Sequence, residues 1–160
     1  MDILPVYKKS FFCSPLREDG LKLTMVYENG YILCDVIVDN RYEGYEDIVH
    51  GGMVMGILDT MMWYAIFMAT KKIAMTRHID MDFFKPVMCN KLYKAKSNFL
   101  RIVERDIYAY ASIEDENGEL CAQVTGLFRE AKDLPLQEFI DRLDFSLTPP
   151  EIKEYFMSIL

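Results

Sequence analysis

The sequence predicts an α+β fold in which a curled antiparallel sheet wraps around one long central helix, with an extra helical tail at the C-terminus. Three observations carry this. Met53 to Thr70 is an apolar run with a single side chain of a charged type, Asp59, and a helix that is apolar on all sides belongs inside a protein. On either side of the run lies a pair of strand-like segments joined across an Asn-Gly step, Asn29-Gly30 and Asn117-Gly118, the strongest short hairpin signal. A lone helix cannot bury itself, whereas a curled sheet can cover it.

Taken in order, residues 1–20 show little periodicity, with Pro5, Pro15, Gly20 and a Lys8-Lys9 pair. Lys22 to Glu28 and Tyr31 to Val38 form the first hairpin. Asp39 to Val49 is a polar loop that delivers the chain to the helix. After the helix, Ile73–Phe84 alternates: Ile73, Met75, Ile79, Met81 and Phe83 share one face, and Ala74, Thr76, His78, Asp80 and Asp82 share the other. Pro86 ends that strand. Lys91 to Glu104 is a long basic strand, and Ile107–Glu114 with Glu119–Phe128 make the second hairpin, whose second arm aligns Leu120, Ala122, Val124 and Phe128. In the tail, Thr148-Pro149-Pro150-Glu151 has the pattern of a capping box. Ile152, Tyr155, Phe156 and Ile159 behind it form the apolar stripe of a last helix. The expected organisation is one domain over residues 1–134 and a C-terminal helical extension over residues 135–160.

The 160 residues suffice for one domain with a core. A hydrophobic content of 51% with 27% charged residues reads as globular. The net charge of −7 argues against nucleic acid as the main partner. Cys13, Cys34, Cys89 and Cys121 are scattered, without a CxxC or Cys/His cluster, so no metal site is expected. "MDILPVYKKSFF" lacks the apolar core of a signal peptide, which makes a reducing cytoplasm the expectation. The central run is nearly long enough to span a bilayer, but Asp59 at its centre costs about 2.5–3.5 kcal/mol on insertion, and the strands need a core. No membrane role is expected.

The helix start carries chemistry. Gly51 and Gly52 occupy its first turn, where backbone N–H groups lack internal partners and the macrodipole adds positive charge. Glycine lets another molecule approach those donors closely. That end is a donor site for an anion or a developing oxyanion. Asp59 lies two turns further on, with Gly52, Met55, Gly56, Met62, Trp63 and Ile66 on its stripe. Donors, a carboxylate and an apolar lining suit acyl transfer.

The segment "HGGMVMGILDTMMWYA", with His50-Gly51-Gly52 nine positions ahead of Asp59, followed by "TRHIDMDFFKPV", resembles the hot-dog-fold acyl-CoA thioesterases, the phenylacetate-pathway type in particular. The pattern extends over most of residues 20–130. The resemblance implies thioester hydrolysis, with Asp59 as general base or nucleophile and the Gly51 or Gly52 N–H polarising the thioester oxygen. His50 would shape the site, and Thr76 aligns with a Ser or Thr near the attacking water. It also implies a homodimer or homotetramer with the site at the dimer interface, and coenzyme A as part of the substrate rather than a cofactor.

Met55, Met62, Trp63 and Phe84 are the apolar residues assigned to the substrate. Lys85 and the Lys91–Arg101 basics are candidates for the coenzyme A phosphates. Each assignment has a plainer counterpart. Asp59 can be a buried carboxylate capped by backbone or Thr60, His50 a residue that orders the helix start, Thr76 an ordinary strand residue and the methionines core filler. The basic stripe can be a solvated sheet face. One departure stands out: many relatives carry Asn or Gln six residues before the His, where this chain has Gly44, and the nearest amide is Asn40. A non-catalytic acyl-CoA or fatty-acyl sensor is therefore the alternative function. A hot-dog dehydratase is disfavoured because its different His-centred motif is absent.

Overall fold

The computed structural model describes all 160 residues. Its elements are β1 (Asp2–Ile3), β2 (Val6–Tyr7), β3 (Val26–Glu28), β4 (Tyr31–Val36), β5 (Glu43–Tyr45), β6 (Ile48–Val49), α1 (Gly51–Thr70), β7 (Ala74–Phe83), β8 (Tyr93–Val103), β9 (Asp106–Glu114), β10 (Leu120–Glu130), α2 (Leu136–Asp141), β11 (Leu143–Asp144) and α3 (Pro150–Met157). A seven-stranded sheet in the order β1-β3-β4-β8-β9-β10-β7 curls around α1. All its strand pairs are antiparallel. This is the hot-dog arrangement that the resemblance implies.

The first hairpin turns where Asn29 and Gly30 both take positive φ, 50° and 85°, as a two-residue turn between twisted strands demands. Half of the twenty residues of α1 are buried, with Ile57, Leu58, Met61, Met62, Ile66 and Phe67 fully enclosed. The sheet covers one side. Residues 1–25 and the C-terminal tail cover much of the other, so the apolar run is the core of the fold.

Two bulges revise the strand faces. In β7, Leu127 pairs with His78 but Phe128 pairs with Thr76, which leaves Arg77 as an extra residue. An extra residue inverts the alternation. Ala74 and Thr76 therefore lie on the same face as Ile79 and Met81, while Met75 turns outward and is 67% exposed. In β10, Cys121 is the extra residue opposite β9, so Leu120 leaves the face of Ala122, Val124 and Phe128.

The N-terminal residues, unpatterned in sequence, are packed and paired. β2 pairs with β11, matching Tyr7 to Leu143 and Val6 to Asp144, and the Tyr64 hydroxyl donates to the Pro5 carbonyl at 2.7 Å. In the tail, Phe156 stacks on Phe67 with centroids 4.3 Å apart, and the Tyr155 hydroxyl donates to the Met68 carbonyl at 2.6 Å. The capping box does not form: α3 starts at Pro150 with Pro149 as its cap and no side-chain cap hydrogen bond. The Thr148 hydroxyl is buried without a partner. Packing of the stripe, rather than the cap, holds α3. Phe156→Ala is accordingly expected to lower stability by about 3–5 kcal/mol, measured by urea unfolding. A loss below about 1 kcal/mol would contradict tail docking.

Candidate active site

Two cavities meet the candidate residues, at different places on α1. The first, about 620 Å³, lies at the helix N-terminus beside Gly44, His50, Gly51, Phe83, Phe84 and Lys85. The helix start is tied down by its neighbours. His50 N–H donates to the Tyr42 carbonyl at 2.9 Å, and Val49 N–H donates to the Val87 carbonyl at 2.8 Å.

His50 is the N-cap. Its Nδ1 accepts from Gly52 N–H at 2.8 Å, which places the proton of the neutral ring on Nε2. A Cβ at Gly52 would lie 3.0 Å from Nδ1, and one at Gly44 would lie 3.2 Å from the His50 Cα and 3.3 Å from Cδ2. Both glycines thus make room for His50. Gly52 N–H is spent on the cap, and Met53 N–H bonds to the His50 carbonyl at 2.8 Å. Gly51 N–H has no hydrogen-bond partner. Of the two glycines, Gly51 holds the open donor.

The second cavity, about 280 Å³, adjoins Asp59, Thr76 and Trp63. Thr60 does not cap the carboxylate, because its hydroxyl donates to the Gly56 carbonyl at 2.8 Å. Asp59 Oδ1 instead accepts from the Thr76 hydroxyl at 2.6 Å, and the bulge at Arg77 is what turns Thr76 inward. Burial pushes the Asp59 carboxyl above the ordinary carboxylate range, and the Thr76 hydrogen bond partly offsets this. A carboxylate so placed is a better base than a solvated one.

Gly51 and Asp59 are eight residues apart on one helix, about 12 Å along its axis. Within one chain, donor and carboxylate thus open into separate cavities. The remaining assignments divide. Trp63 lines the Asp59 cavity and Phe84 the glycine cavity. Met55 is 41% exposed on the helix surface. Met62 is fully buried and meets the sheet at Gly126, where an added Cβ would lie 2.8 Å from its Cε; it belongs to the core and reaches neither cavity.

Lys85 is not a free cation: its Nζ is paired with both Asp115 and Glu119, which raise its pKa. Lys94 pairs with Asp35 at 2.7 Å, while Lys96 and Arg101 lie over the rings of Tyr31 and Tyr108. Much of the basic stripe is therefore engaged on the sheet surface. Asn40 is also engaged, donating to Glu43 and Asp47 and accepting from Asn90, so it positions no water at Asp59. Burial pushes the Cys13 and Cys34 thiols up to about 12, which leaves them poor nucleophiles.

Sequence reasoning missed the far wall of the Asp59 cavity, formed by Tyr7, Ser10, Phe139 and Leu143. These residues sit singly in segments without periodicity, and no motif marks them.

Residues 46–122 match the thioesterase superfamily model. An uncharacterized protein of Schizosaccharomyces pombe is 28% identical over 104 residues, covering 62% of this chain; the match spans 59% of that relative's length. Among solved structures, a thioesterase-superfamily protein aligns with a TM-score of 0.71 at 19% identity, covering 77% of this chain and 61% of the other. The Escherichia coli PaaI protein of the phenylacetic acid degradation operon gives a TM-score of 0.63 at 16% identity, covering 70% and 81%. A Streptococcus mutans protein bound to acetyl-CoA gives 0.62 at 14% identity, covering 68% and 88%.

Proposed function

From the hot-dog fold and the match of residues 46–122 to the thioesterase superfamily model, we propose that the chain belongs to that superfamily and hydrolyses acyl-CoA thioesters. The observation that carries this is Asp59, held by Thr76 with a raised pKa at the edge of a partly apolar cavity, on the helix whose N-terminus offers the free Gly51 N–H.

Asp59 takes a proton from water, whose oxygen attacks the thioester carbonyl carbon. The carbonyl oxygen gains negative charge and is stabilised by Gly51 N–H and the dipole of α1. The C–S bond then breaks, the thiolate takes the proton back, and a carboxylic acid and free coenzyme A leave. Direct attack by Asp59, with an anhydride that water then opens, gives the same products. Coenzyme A enters as the carrier half of the substrate, as the acetyl-CoA on the S. mutans neighbour illustrates for that protein.

The separation of Gly51 from Asp59 calls for two protomers, with the donor from one and the carboxylate from the other. The outer edge of β7 supports this assembly. It ends the sheet over ten residues without a neighbour, and Met75, Phe83 and Phe84 are more than half exposed on or beside it. Such an edge is a template for a second strand.

One observation favours a non-catalytic acyl-CoA sensor instead: Gly44 has no side chain, and the Asn40 amide is fully engaged, so no amide orients the water. Thiol release from a panel of acyl-CoAs decides. Hydrolysis of at least one thioester is expected, and binding of all tested thioesters without turnover would install the sensor reading.

A further inference from the structure

The far wall of the cavity beside Asp59 is built by segments that lie outside the region matching the superfamily model. Tyr7 and Ser10 come from the N-terminal segment, and Phe139 and Leu143 from the tail. These two segments are joined to each other. β2 pairs with β11, Lys8 N–H donates to the Arg142 carbonyl at 3.0 Å, and Lys8 Nζ donates to the Asp141 carbonyl at 2.8 Å. The joined wall is pinned to α1 through Tyr64 and Pro5. Phe139 leans on Trp63, with ring centroids 6.0 Å apart, and Trp63 stacks on Phe67. Aromatic and aliphatic groups thus form the far side of a space whose near side is Asp59 and Thr76.

We propose that this cavity receives the acyl group of the thioester, and that Phe139, with Leu143 and Tyr7, sets its size limit. The inference rests on the acyl-CoA reading above and adds the substrate class, compact aryl or short acyl groups. The volume argues for compact groups. About 280 Å³ is below the range of about 300–1,000 Å³ that holds drug-sized ligands, while a dry cavity of about 150 Å³ already holds benzene. A phenylacetyl or hexanoyl group fits such a space, whereas a palmitoyl chain would have to run out through its open side. The wall is apolar except for hydroxyls, which suits an uncharged acyl group and disfavours a carboxylated one.

The test compares acetyl-, hexanoyl-, phenylacetyl- and palmitoyl-CoA by thiol release, in the parent, Phe139→Ala and Phe139→Trp. Trp63 is the only tryptophan in the chain, so its emission in the parent and Phe139→Ala reports binding of non-hydrolysable thioether analogues of the same acyl-CoAs. The parent should prefer hexanoyl and phenylacetyl over palmitoyl. Phe139→Ala should raise kcat/KM for palmitoyl relative to hexanoyl by about tenfold or more, and Phe139→Trp should lower phenylacetyl relative to acetyl by a similar factor. Opposite shifts from the two variants are not expected of a residue that only supports the fold. Acyl analogues should change Trp63 emission, and free coenzyme A should not. Unchanged acyl preferences in both variants, with Trp63 silent to the acyl analogues, would overturn the cavity assignment while leaving hydrolysis standing. A parent that hydrolyses nothing, yet shows size-dependent Trp63 changes that widen in Phe139→Ala, would overturn hydrolysis and keep the cavity. No turnover with no Trp63 response would overturn both.

Discussion

Asp59→Asn is expected to lower thioester turnover by about 10²–10⁴-fold, the range ordinarily lost with a positioned general base, with acyl-CoA binding retained. Asparagine keeps the shape and an oxygen to accept from Thr76, so only the basic group is lost. The same substitution has a second, independent signature. Burial raises the folded-state pKa of Asp59 above its ordinary value. As pH rises from the acid side, the unfolded chain releases this proton first, so the folded state loses stability until its own raised pKa is passed. Asp59→Asn removes that loss. The variant should be more stable than the parent at pH 7, with the difference shrinking to nothing at about pH 3, where both states of the parent are protonated. Urea unfolding at the two pH values checks the sign. An Asp59→Asn protein that turns over every substrate at the parent rate would remove Asp59 from the chemistry.

Gly51→Pro is expected to lower turnover by about 10²–10³-fold, the loss measured for one oxyanion donor in other enzymes. Proline is a mild choice here. Gly51 is the first residue of α1, where proline is well tolerated because the N–H makes no intrahelical bond. The preceding His50 sits at φ −55° and ψ 131°, in the region proline permits before it. A Cβ at Gly51 meets only the Phe83 ring at ordinary contact, 3.4 Å. The substitution therefore removes the one free donor with little effect on the fold. Thermal unfolding near the parent value, together with the lost turnover, would mark a missing donor rather than a damaged helix.

Much of the fold is legible in the sequence because its signals are local. Asn29-Gly30 specifies its turn through two positive φ angles, and the run from Met53 to Thr70, apolar but for Asp59, reads as the helix that the sheet covers. The bulge at Arg77 is not legible, since one extra residue leaves no trace in an alternating pattern once the chain is read without its partner strand. That bulge decides which face Thr76 takes. Lys85 reads as a free cation because the carboxylates that neutralise it, Asp115 and Glu119, lie about thirty residues away. The roles of Gly51 and Gly52 look interchangeable in sequence and separate only when the His50 ring claims the Gly52 N–H. The capping box misleads for a related reason: Pro149 takes the cap position, and the Thr148 hydroxyl is left facing the interior.

The central claim is a thioester site made by Asp59 of one protomer and Gly51 of another. Mixing the two inactive variants tests it most directly. Asp59→Asn and Gly51→Pro chains are combined in equal amounts under conditions that let subunits exchange, and thiol release from the parent's best acyl-CoA is measured. Each variant alone lacks an intact site. In random dimers half are mixed, and each mixed dimer holds one site with both functional groups, so the mixture should recover about a quarter of the parent activity. Recovery absent from a mixture shown by sedimentation to contain mixed dimers would contradict the shared site.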